Sequence, residues 1–262
     1  MAITGAAVCA GGKPQLKFTY SGDYVVRDDG VVEMHSSGTL VFLDPAVIDI
    51  FCVGGGSSGL TYFGTNNAAG GGAGGYTKTI KKQRVSGAYA ITIGAGGVTS
   101  GQNQGAGGAT SFGSVLTANG GGLAGSKQQG APGGSGGGGA AVSNASGGTG
   151  GSDGGNGESS SYAGGAGQGS TTREFGEATG KLYAGGGGGG RYISASNPVT
   201  SAGGSGGGGT GAWYGGYQRS QAAAAGVANT GGGGGGGAVY SGDSYKPGAG
   251  GGSGIVCFRL AA

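Results

Sequence analysis

The sequence has few of the residues that build an ordinary hydrophobic core. Leu, Ile, Val and Phe together number 39 of the 262 residues, below the share of about 20% that globular chains usually exceed. Between Ser143 and Gly254 this set is represented only by Phe175, Leu182, Ile193, Val199, Val227 and Val239. A conventional apolar core is therefore excluded in the second half of the chain.

Proline is also scarce, with 5 residues against 78 glycines. Collagen requires glycine at every third position and abundant proline, so that class is excluded. A flexible glycine and serine linker is a stronger alternative, but large aromatic residues interrupt the glycine runs, and disordered chains contain few of them. An RNA-binding tract would interleave arginine with glycine, yet the chain has no Arg-Gly-Gly and a net charge of only +3. We therefore expect no nucleic-acid partner.

The residues that usually carry catalysis are equally sparse. His35 is the only histidine and lies in the MHSSG turn, which excludes multi-histidine metal sites and indicates a loop histidine in place of a member of a catalytic triad. The 11 acidic residues form no DxDxDG pattern, and Lys13 and Lys181 follow glycine without a Ser or Thr after them, as a phosphate loop would require. A carboxylate pair assembled from distant positions stays open. We expect a protein that is not an enzyme and that has no cofactor and no metal.

Cysteine and targeting patterns point to a protein made in the cytoplasm. Cys9, Cys52 and Cys257 have no CxxC spacing, and we expect free thiols. The first ten residues, MAITGAAVCA, lack the positive charge and the apolar run of a signal peptide. Because no segment approaches the about 20 apolar residues of a membrane span, we expect no membrane insertion.

Glycine is abundant and unevenly placed, with 25 residues in positions 1–119 and 53 in positions 120–262. A polyproline II backbone has three residues per turn and no internal hydrogen bonds, so its N–H and C=O groups point sideways. Without Cβ atoms, neighbouring glycine helices can approach closely and bond to one another. The runs 136–139, 185–190, 206–209 and 231–237 are therefore predicted to form a bundle of polyglycine II helices.

The first half predicts the strands that support this bundle. A strand over 39–43 is predicted to end at Asp44-Pro45, and a second strand over 47–53 runs into three glycines. Residues 76–80 and 89–93 read as a pair joined by KKQRVSG, and residues 255–260 form a closing strand. The predicted fold class is all-β, a jelly-roll-like β-sandwich with a long inserted polyglycine II helix bundle.

The segments SGTLVFLDPAVIDIFCVGGGSSG, AGGGAGGYTKTI, YAITIGAGG, GAGGATSFG and GGSGIVCFRL resemble the glycine-rich domain of tail proteins from bacteriophages of Gram-positive hosts. The second half is similar to the distal tail-fibre adhesins of T-even phages, a resemblance that implies loops between polyglycine helices that touch a host receptor. A similar jelly-roll in the anaplastic lymphoma kinase receptor family implies a cytokine-binding alternative, but the disulfide-linked cysteines and membrane span of that family are missing here. The resemblance to the glycine-rich domain covers roughly Gly38 to Leu260, and the front half of the chain departs from the adhesins.

The residues that interrupt the glycine runs are the candidate binding residues. Side chains cannot fit between close-packed glycine helices, so the interruptions are predicted to lie at exposed ends of the bundle. Aromatic and arginine side chains suit receptor contact there, although each aromatic also has a structural interpretation as a cover for a helix end or a subunit contact. The candidates are Tyr162, Phe175, Tyr183, Arg191, Tyr192, Trp213, Tyr214, Tyr217, Arg219, Tyr240 and Tyr245.

Four segments are predicted: 1–37 for attachment and first strands, 38–119 for sandwich strands with the first glycine segments, 120–254 for the polyglycine II region and 255–262 for the closing strand. The expected function is a tail-fibre or tail-tip adhesin of a virion; the alternative is a tail or baseplate decoration without host contact. The expected partners are a host cell-surface receptor, either glycan or protein, and other phage tail or baseplate proteins. A homotrimer is left open as the oligomeric form.

Overall fold

The computed structural model describes residues 3–6, 16–63, 67–142, 145–151, 153–159, 169–193, 201–215, 220–241 and 244–262. Over these ranges regular structure is almost entirely β-strand, with large antiparallel sheets and two short 3-10 turns. The predicted all-β class is confirmed. No helix in these ranges is long and apolar enough to cross a membrane.

The strands are, in chain order, β1 Ile3–Ala6, β2 Lys17–Tyr20, β3 Tyr24–Val26, β4 Val32–Met34, β5 Gly38–Val53, β6 Asn67–Ala68, β7 Thr77–Thr92, β8 Thr110–Phe112, β9 Leu116–Ala118, β10 Arg191–Ile193, β11 Trp213–Gly215, β12 Ser220–Gln221, β13 Ala238–Ser241, β14 Ser244–Lys246 and β15 Ile255–Leu260. The 3-10 turns are Ser170–Thr172 and Glu174–Gly176.

The largest sheet has nine strands. Its main order is β3-β4-β15-β5-β7-β8-β9, and β2 joins it by pairing with both β1 and β5. The closing strand β15 lies antiparallel to the second half of β5, with Ile255 opposite Val53 and Leu260 opposite Ile48. The strands that begin and end the glycine-rich part of the chain, which the sequence predicted to bracket it, are thus hydrogen-bonded to each other.

Two predicted strand ends are wrong, because the strands continue through irregularities. Strand β5 runs from Gly38 to Val53 across Asp44-Pro45, with register shifts against β7 between Phe42 and Ala46 and between Ile48 and Ile50. Strand β7 likewise runs through KKQRVSG, where Lys82 has a φ of 55°. A bulge inserts extra residues and bends a strand without ending it, and it also accommodates a proline.

The main hydrophobic core is built from the nine-stranded sheet, and Phe258 of β15 lies at its centre. Its ring packs edge-on against Phe18 of β2 at 5.6 Å, Phe42 of β5 at 5.8 Å and Phe112 of β8 at 6.4 Å between centroids. These four rings are at most 4% exposed. Rings from four strands therefore meet in one cluster, which anchors the part of the chain that contains most of the apolar residues.

The glycine segments pair with one another in a three-residue rotation. Consecutive backbone N–H groups of residues 54–60 donate in turn to three different neighbouring segments, at 2.8 to 3.0 Å. The first neighbour accepts at Tyr76, Ala73 and Gly70, from Gly54, Ser57 and Leu60 respectively. The second accepts at Gly108 and Gly105, from Gly55 and Ser58, and the third accepts at Gly252 and Ala249, from Gly56 and Gly59. Each third residue thus faces the same neighbour, which is neither the pairing of a β-strand nor that of an α-helix.

Residues 231–237 show the same rotation with six neighbours. Their N–H groups donate to carbonyls of three segments: one contains residues 57 and 60, the second contains residues 185 and 188, and the third contains residue 224. Their carbonyls accept from N–H groups of three other segments: one contains residues 69, 72 and 75, the second contains residues 209 and 212, and the third contains residues 249 and 252. We call the segments 54–60, 69–75, 185–190, 209–212, 224–227, 231–237 and 249–252 the glycine array. The array takes segments from both sides of residue 120, and residues 231–237 lie at its centre.

The glycine array has two distinct ends. At the sheet end, Gly54 bonds to Tyr76, which precedes β7, and Gly231 bonds to Ser253, which precedes β15. At the far end, Gly237 bonds to Leu60 and Ala69, and Ala212 bonds to Gly236. Strands β6, β10, β11 and β13 begin or end directly beyond these far-end residues, so the array separates two sets of side chains.

The array predicts a sharp contrast between two glycine-to-alanine variants. A Cβ at Gly234 would lie closer than 3.0 Å to the backbone oxygens of Ala249 and Gly250, whereas at Gly125 its nearest neighbour is the Gln129 side chain at 3.4 Å. We expect Gly234→Ala to cost about 1–3 kcal/mol or more, because rigid backbone must move. Gly125→Ala should change the free energy of unfolding by less than about 0.5 kcal/mol. Thermal unfolding of both variants measures the contrast, and equal melting temperatures would contradict close backbone packing.

Candidate functional site

Four of the sequence-predicted residues meet on two paired strands at the far end. Arg191 and Tyr192 lie on β10, directly after the glycine run 185–190, and Trp213 and Tyr214 lie on β11, directly after Ala212. The two strands are parallel, with Arg191 opposite Trp213 and Tyr192 opposite Tyr214. Side chains become possible here because the backbone-to-backbone contacts of the glycine array have ended.

The two aromatic residues of β11 face opposite ways. Tyr214 is 9% exposed and packs with Ala212 and Ala238, with Tyr192 and Ala223 at the margin of this small cluster. Trp213 is half-buried, and its indole N–H donates to Oε1 of Gln221 on β12 at 3.0 Å. Alternation along a strand accounts for this difference. Tyr214 thus helps to hold the far end together, while Trp213 keeps an accessible ring.

A second aromatic group lies on the neighbouring strands of the far end. Tyr245 of β14 is 42% exposed, and its ring packs edge-on against Phe63, which is 38% exposed, at 4.7 Å between centroids. The Lys127 ammonium lies 5.7 Å above the ring of Tyr62. Sequence reasoning missed Tyr62, Phe63 and Lys127. The signal was present, because Tyr62 and Phe63 follow the glycine segment 54–60 with only Thr61 between, much as Trp213 follows Ala212.

We define the far-end surface as the accessible residues of both groups: Tyr62, Phe63, Lys127, Arg191, Tyr192, Trp213 and Tyr245. Tyr240 lies on β13, at the irregularity between Val239 and Ser241. The remaining sequence-predicted residues, Tyr162, Tyr217 and Arg219, lie outside the described residues.

The expectation of exposed positions is wrong for Phe175 and Tyr183. These side chains are 1% and 0% exposed, and they pack in one cluster with Val53, Ile255 and Cys257. Their rings also contact Phe51, at 6.1 and 5.2 Å between centroids. The physical reason is their place at the sheet end, because this face of β5 and β15 is apolar and would otherwise contact water. The two aromatics therefore belong to the architecture.

A partly buried ion cluster fixes the segment that carries these two aromatics. Arg27 of the β3–β4 hairpin donates to both carboxylate oxygens of Glu174, at 2.9 and 2.7 Å, and to Glu33 at 3.0 Å. The Tyr183 hydroxyl donates to the same Glu174 carboxylate at 3.1 Å. Burial alone would lower the pKa of Arg27, but its hydrogen bonds to Asp29 and Glu174 raise it. The guanidinium therefore stays charged and links residues 174–183 to the sheet.

The same cluster contains three groups of the kind that bind metal ions. Single ligand atoms of Glu33, Glu174 and Cys257 lie within 4.8 Å of one another. The Arg27 cation already bonds to both carboxylates, and burial raises the pKa of the Cys257 thiol well above its ordinary value. A metal would have to displace the arginine and take up a thiol that holds its proton tightly. The chemistry therefore favours a structural ion cluster.

The two cysteines in strands are free and buried. Cys52 and Cys257 form no disulfide, which confirms the prediction for these two residues, while Cys9 lies outside the described residues. In the paired strands Cys52 lies opposite Val256 and Cys257 lies opposite Phe51, and each cysteine belongs to a different hydrophobic cluster. Burial raises the pKa of Cys52 to about 12, so both cysteines act as small core residues.

These features define a class of β proteins in which hydrogen-bonded glycine segments take the place of much of the apolar core. The model of a family described as "Glycine-rich domain" matches residues 35–261 of the chain. The chain therefore belongs to this glycine-rich domain family. No match to a curated protein was found.

The ion cluster predicts an unequal response to removing two basic residues. Arg27→Met leaves Glu174, whose side chain is 7% exposed, without its main cation. We expect a loss of about 1–3 kcal/mol, less than for a fully buried pair because Arg27 is itself 25% exposed. The control Lys17→Met breaks a pair with Asp44 in which both side chains are 65% exposed, and it should cost at most about 0.5–1 kcal/mol.

Denaturant unfolding of both variants measures this difference. Adding Glu174→Gln to Arg27→Met should recover part of the loss, because the buried charge is then removed. Equal destabilisation by the two single variants, or no recovery in the double variant, would show that the cluster does not link residues 174–183 to the sheet.

Proposed function

We propose that this protein is a receptor-binding protein of a bacteriophage tail, a tail-fibre or tail-tip adhesin, that recognises a host cell surface through the far-end surface. The observation that carries the proposal is the separation of side chains by the glycine array. Accessible aromatic groups gather at the far end, with Arg191 and Lys127 among them, whereas the conventional core and the ion cluster lie at the sheet end. This arrangement suits recognition by surface contact, and the proposed activity is binding without catalysis.

We infer that the glycine segments are polyglycine II helices packed as a bundle. Two observations support this inference: each third residue faces the same neighbour, as three residues per turn require, and the central segment 231–237 has six neighbours. At a rise of about 3.1 Å per residue, such a segment displaces the far end by roughly 20 Å from the sheet. The folded nine-stranded sheet is, in the same proposal, a jelly-roll-like β-sandwich that supports the bundle.

The chemistry of the far-end surface supports a glycan or protein receptor. Trp213, Tyr245 and Phe63 offer rings that stack on sugar faces or insert into a protein surface. Arg191 and Lys127 add cations that can hydrogen-bond to polar receptor groups. The sheet end is then the side that faces other tail or baseplate proteins, in the virion, and a homotrimer is one form in which the chain could assemble there.

A structural decoration of the tail, without host contact, is the second candidate. The burial of Phe175, Tyr183 and Tyr214 favours it, because three of the predicted binding aromatics serve packing. The two functions differ in what the accessible rings do, since a decoration protein needs no exposed aromatic surface to touch a cell.

The function predicts that two accessible rings are dispensable for folding and required for binding. Trp213→Ala combined with Tyr245→Ala should shift the free energy of unfolding by about 1 kcal/mol or less, since neither ring is fully buried. Each ring should contribute up to about 2 kcal/mol or more to binding. The measurement is adsorption of the labelled protein to a panel of bacterial strains, beside thermal unfolding of the same preparation.

The matched control is Leu43→Ala, which removes a side chain that is 54% exposed and lies on β5 in the sheet. This variant should adsorb like the wild-type protein. Normal folding with lost adsorption in the double variant supports the adhesin. Normal adsorption by the double variant, or adsorption of the wild type to no strain, favours the decoration role.

A further inference from the structure

Strand β7 has an unpaired edge at its N-terminal end. One edge of β7 pairs with β5 from Thr77 onwards, whereas β8 pairs with the other edge only at Ile91 and Thr92. Across the described ranges, no strand pairs with this second edge at residues 77–81. An unpaired strand edge presents backbone N–H and C=O groups that can template a further strand.

The hydrogen bonding of Thr77 shows which backbone groups face this edge. Its N–H donates to Oδ2 of Asp153 at 2.6 Å instead of to β5. In an antiparallel pair, backbone groups of alternate residues face the same side. The N–H of Thr79 therefore faces the open edge, two residues beyond the position that Asp153 occupies.

A cleft of about 410 Å³ lies against this edge. Residues 76–79 form one wall, Leu116 and Asn119 form a second, and Asp153 and Thr171 close one end. The volume is in the range of ligand clefts, about 300–1,000 Å³. The walls combine an apolar side chain with hydroxyl, amide and backbone groups, so the cleft suits a polar chain that also carries small apolar side chains.

The edge is strongly basic. Lys78, Lys81, Lys82 and Arg84 are all exposed. Among the residues described in this structure, their one ion pair joins Lys81 to Glu177, at 4.0 Å. Such a row attracts an acidic partner and repels a second copy of the same edge.

We propose that the open edge of β7 and its cleft form a docking groove for an extended acidic segment of another protein. The segment adds to β7 as a strand: its backbone accepts a hydrogen bond from the N–H of Thr79 and donates to the carbonyl of the same residue, while alternate acidic side chains face the basic row. The groove lies at the sheet end and needs no part of the far-end surface, so it is independent of the receptor binding proposed for that surface.

The test uses a short blocked peptide of alternating Glu and Val, with a Lys and Val peptide as the control for charge. We expect the acidic peptide to bind, to lose affinity as salt rises, and to slow amide hydrogen exchange at Thr79. In Thr79→Pro the edge loses this donor without losing a bond to β5, because proline is tolerated where the N–H faces away from the sheet. Binding should fall about tenfold or more in that variant, and Thr79→Ala should bind like the wild-type protein.

Charge is tested separately. Lys78→Glu combined with Lys82→Glu should exchange the preference from the acidic to the basic peptide, and Lys246→Glu on β14 is the matched control that should leave the preference unchanged.

Equal binding of both peptides to the wild type, no binding of either, or full binding by folded Thr79→Pro would overturn the proposal. If Thr79→Pro fails to fold, the wild-type exchange data decide: slowed exchange at Thr79 supports the groove, and protection elsewhere overturns it. Protection of Thr79 by a neutral oligosaccharide but by neither peptide would also overturn it.

Discussion

The hydrogen bond between the backbones of neighbouring glycine segments is the interaction on which the rest of this structure depends. It holds seven segments of the chain at distances where a Cβ atom would meet carbonyl oxygen. Each such bond contributes a net of only about 0.5–1.5 kcal/mol, and ordering a glycine loses more conformational entropy than ordering any other residue. Stability therefore requires that nearly all backbone groups in the array find partners, which the rotation among three acceptor segments provides.

This constraint explains where the apolar and charged residues are found. Inside the array only small buried side chains fit, such as those of Ser57, Ser58 and Ala73. The aromatic and charged residues therefore lie at its two ends, and the two ends meet different demands. At the sheet end, the rings of Phe175 and Tyr183 cover an apolar face, and Arg27 fixes their segment by bonding to Glu174. At the far end the sheets have only three strands each and Tyr214 fills their small cluster, while rings such as Trp213 and Tyr245 keep accessible surface.

Composition and spacing were sufficient to predict part of this architecture. The shortage of apolar residues indicated pairing between glycine backbones, and the apolar segment 255–260 indicated a closing strand, which β15 confirms. The pairing of that strand with β5, with Ile255 opposite Val53, was not predicted. The continuous strands β5 and β7 were not predictable from local signals, because bulges carry the chain through Asp44-Pro45 and KKQRVSG. Burial of Phe175 and Tyr183 was not predictable either, since the rule that residues interrupting the glycine runs lie at the ends of the bundle does not distinguish a covered end from an exposed one. What separates the two cases is the direction of the neighbouring segment, which only the three-dimensional pairing reveals.

The three-residue rotation also determines which changes the chain can accept. Within a segment, consecutive N–H groups point at different neighbours, so a single inserted residue would aim every later donor at the wrong partner. Beyond the far end, the first strand residues such as Arg191 and Trp213 follow completed glycine runs, and changes there leave the donors of the array aligned. A fold held by backbone bonds is therefore strict about segment length and tolerant of side-chain identity past Gly190 and Ala212. That combination gives a support on which the side chains of the far end can vary while the hydrogen-bonded interior stays the same.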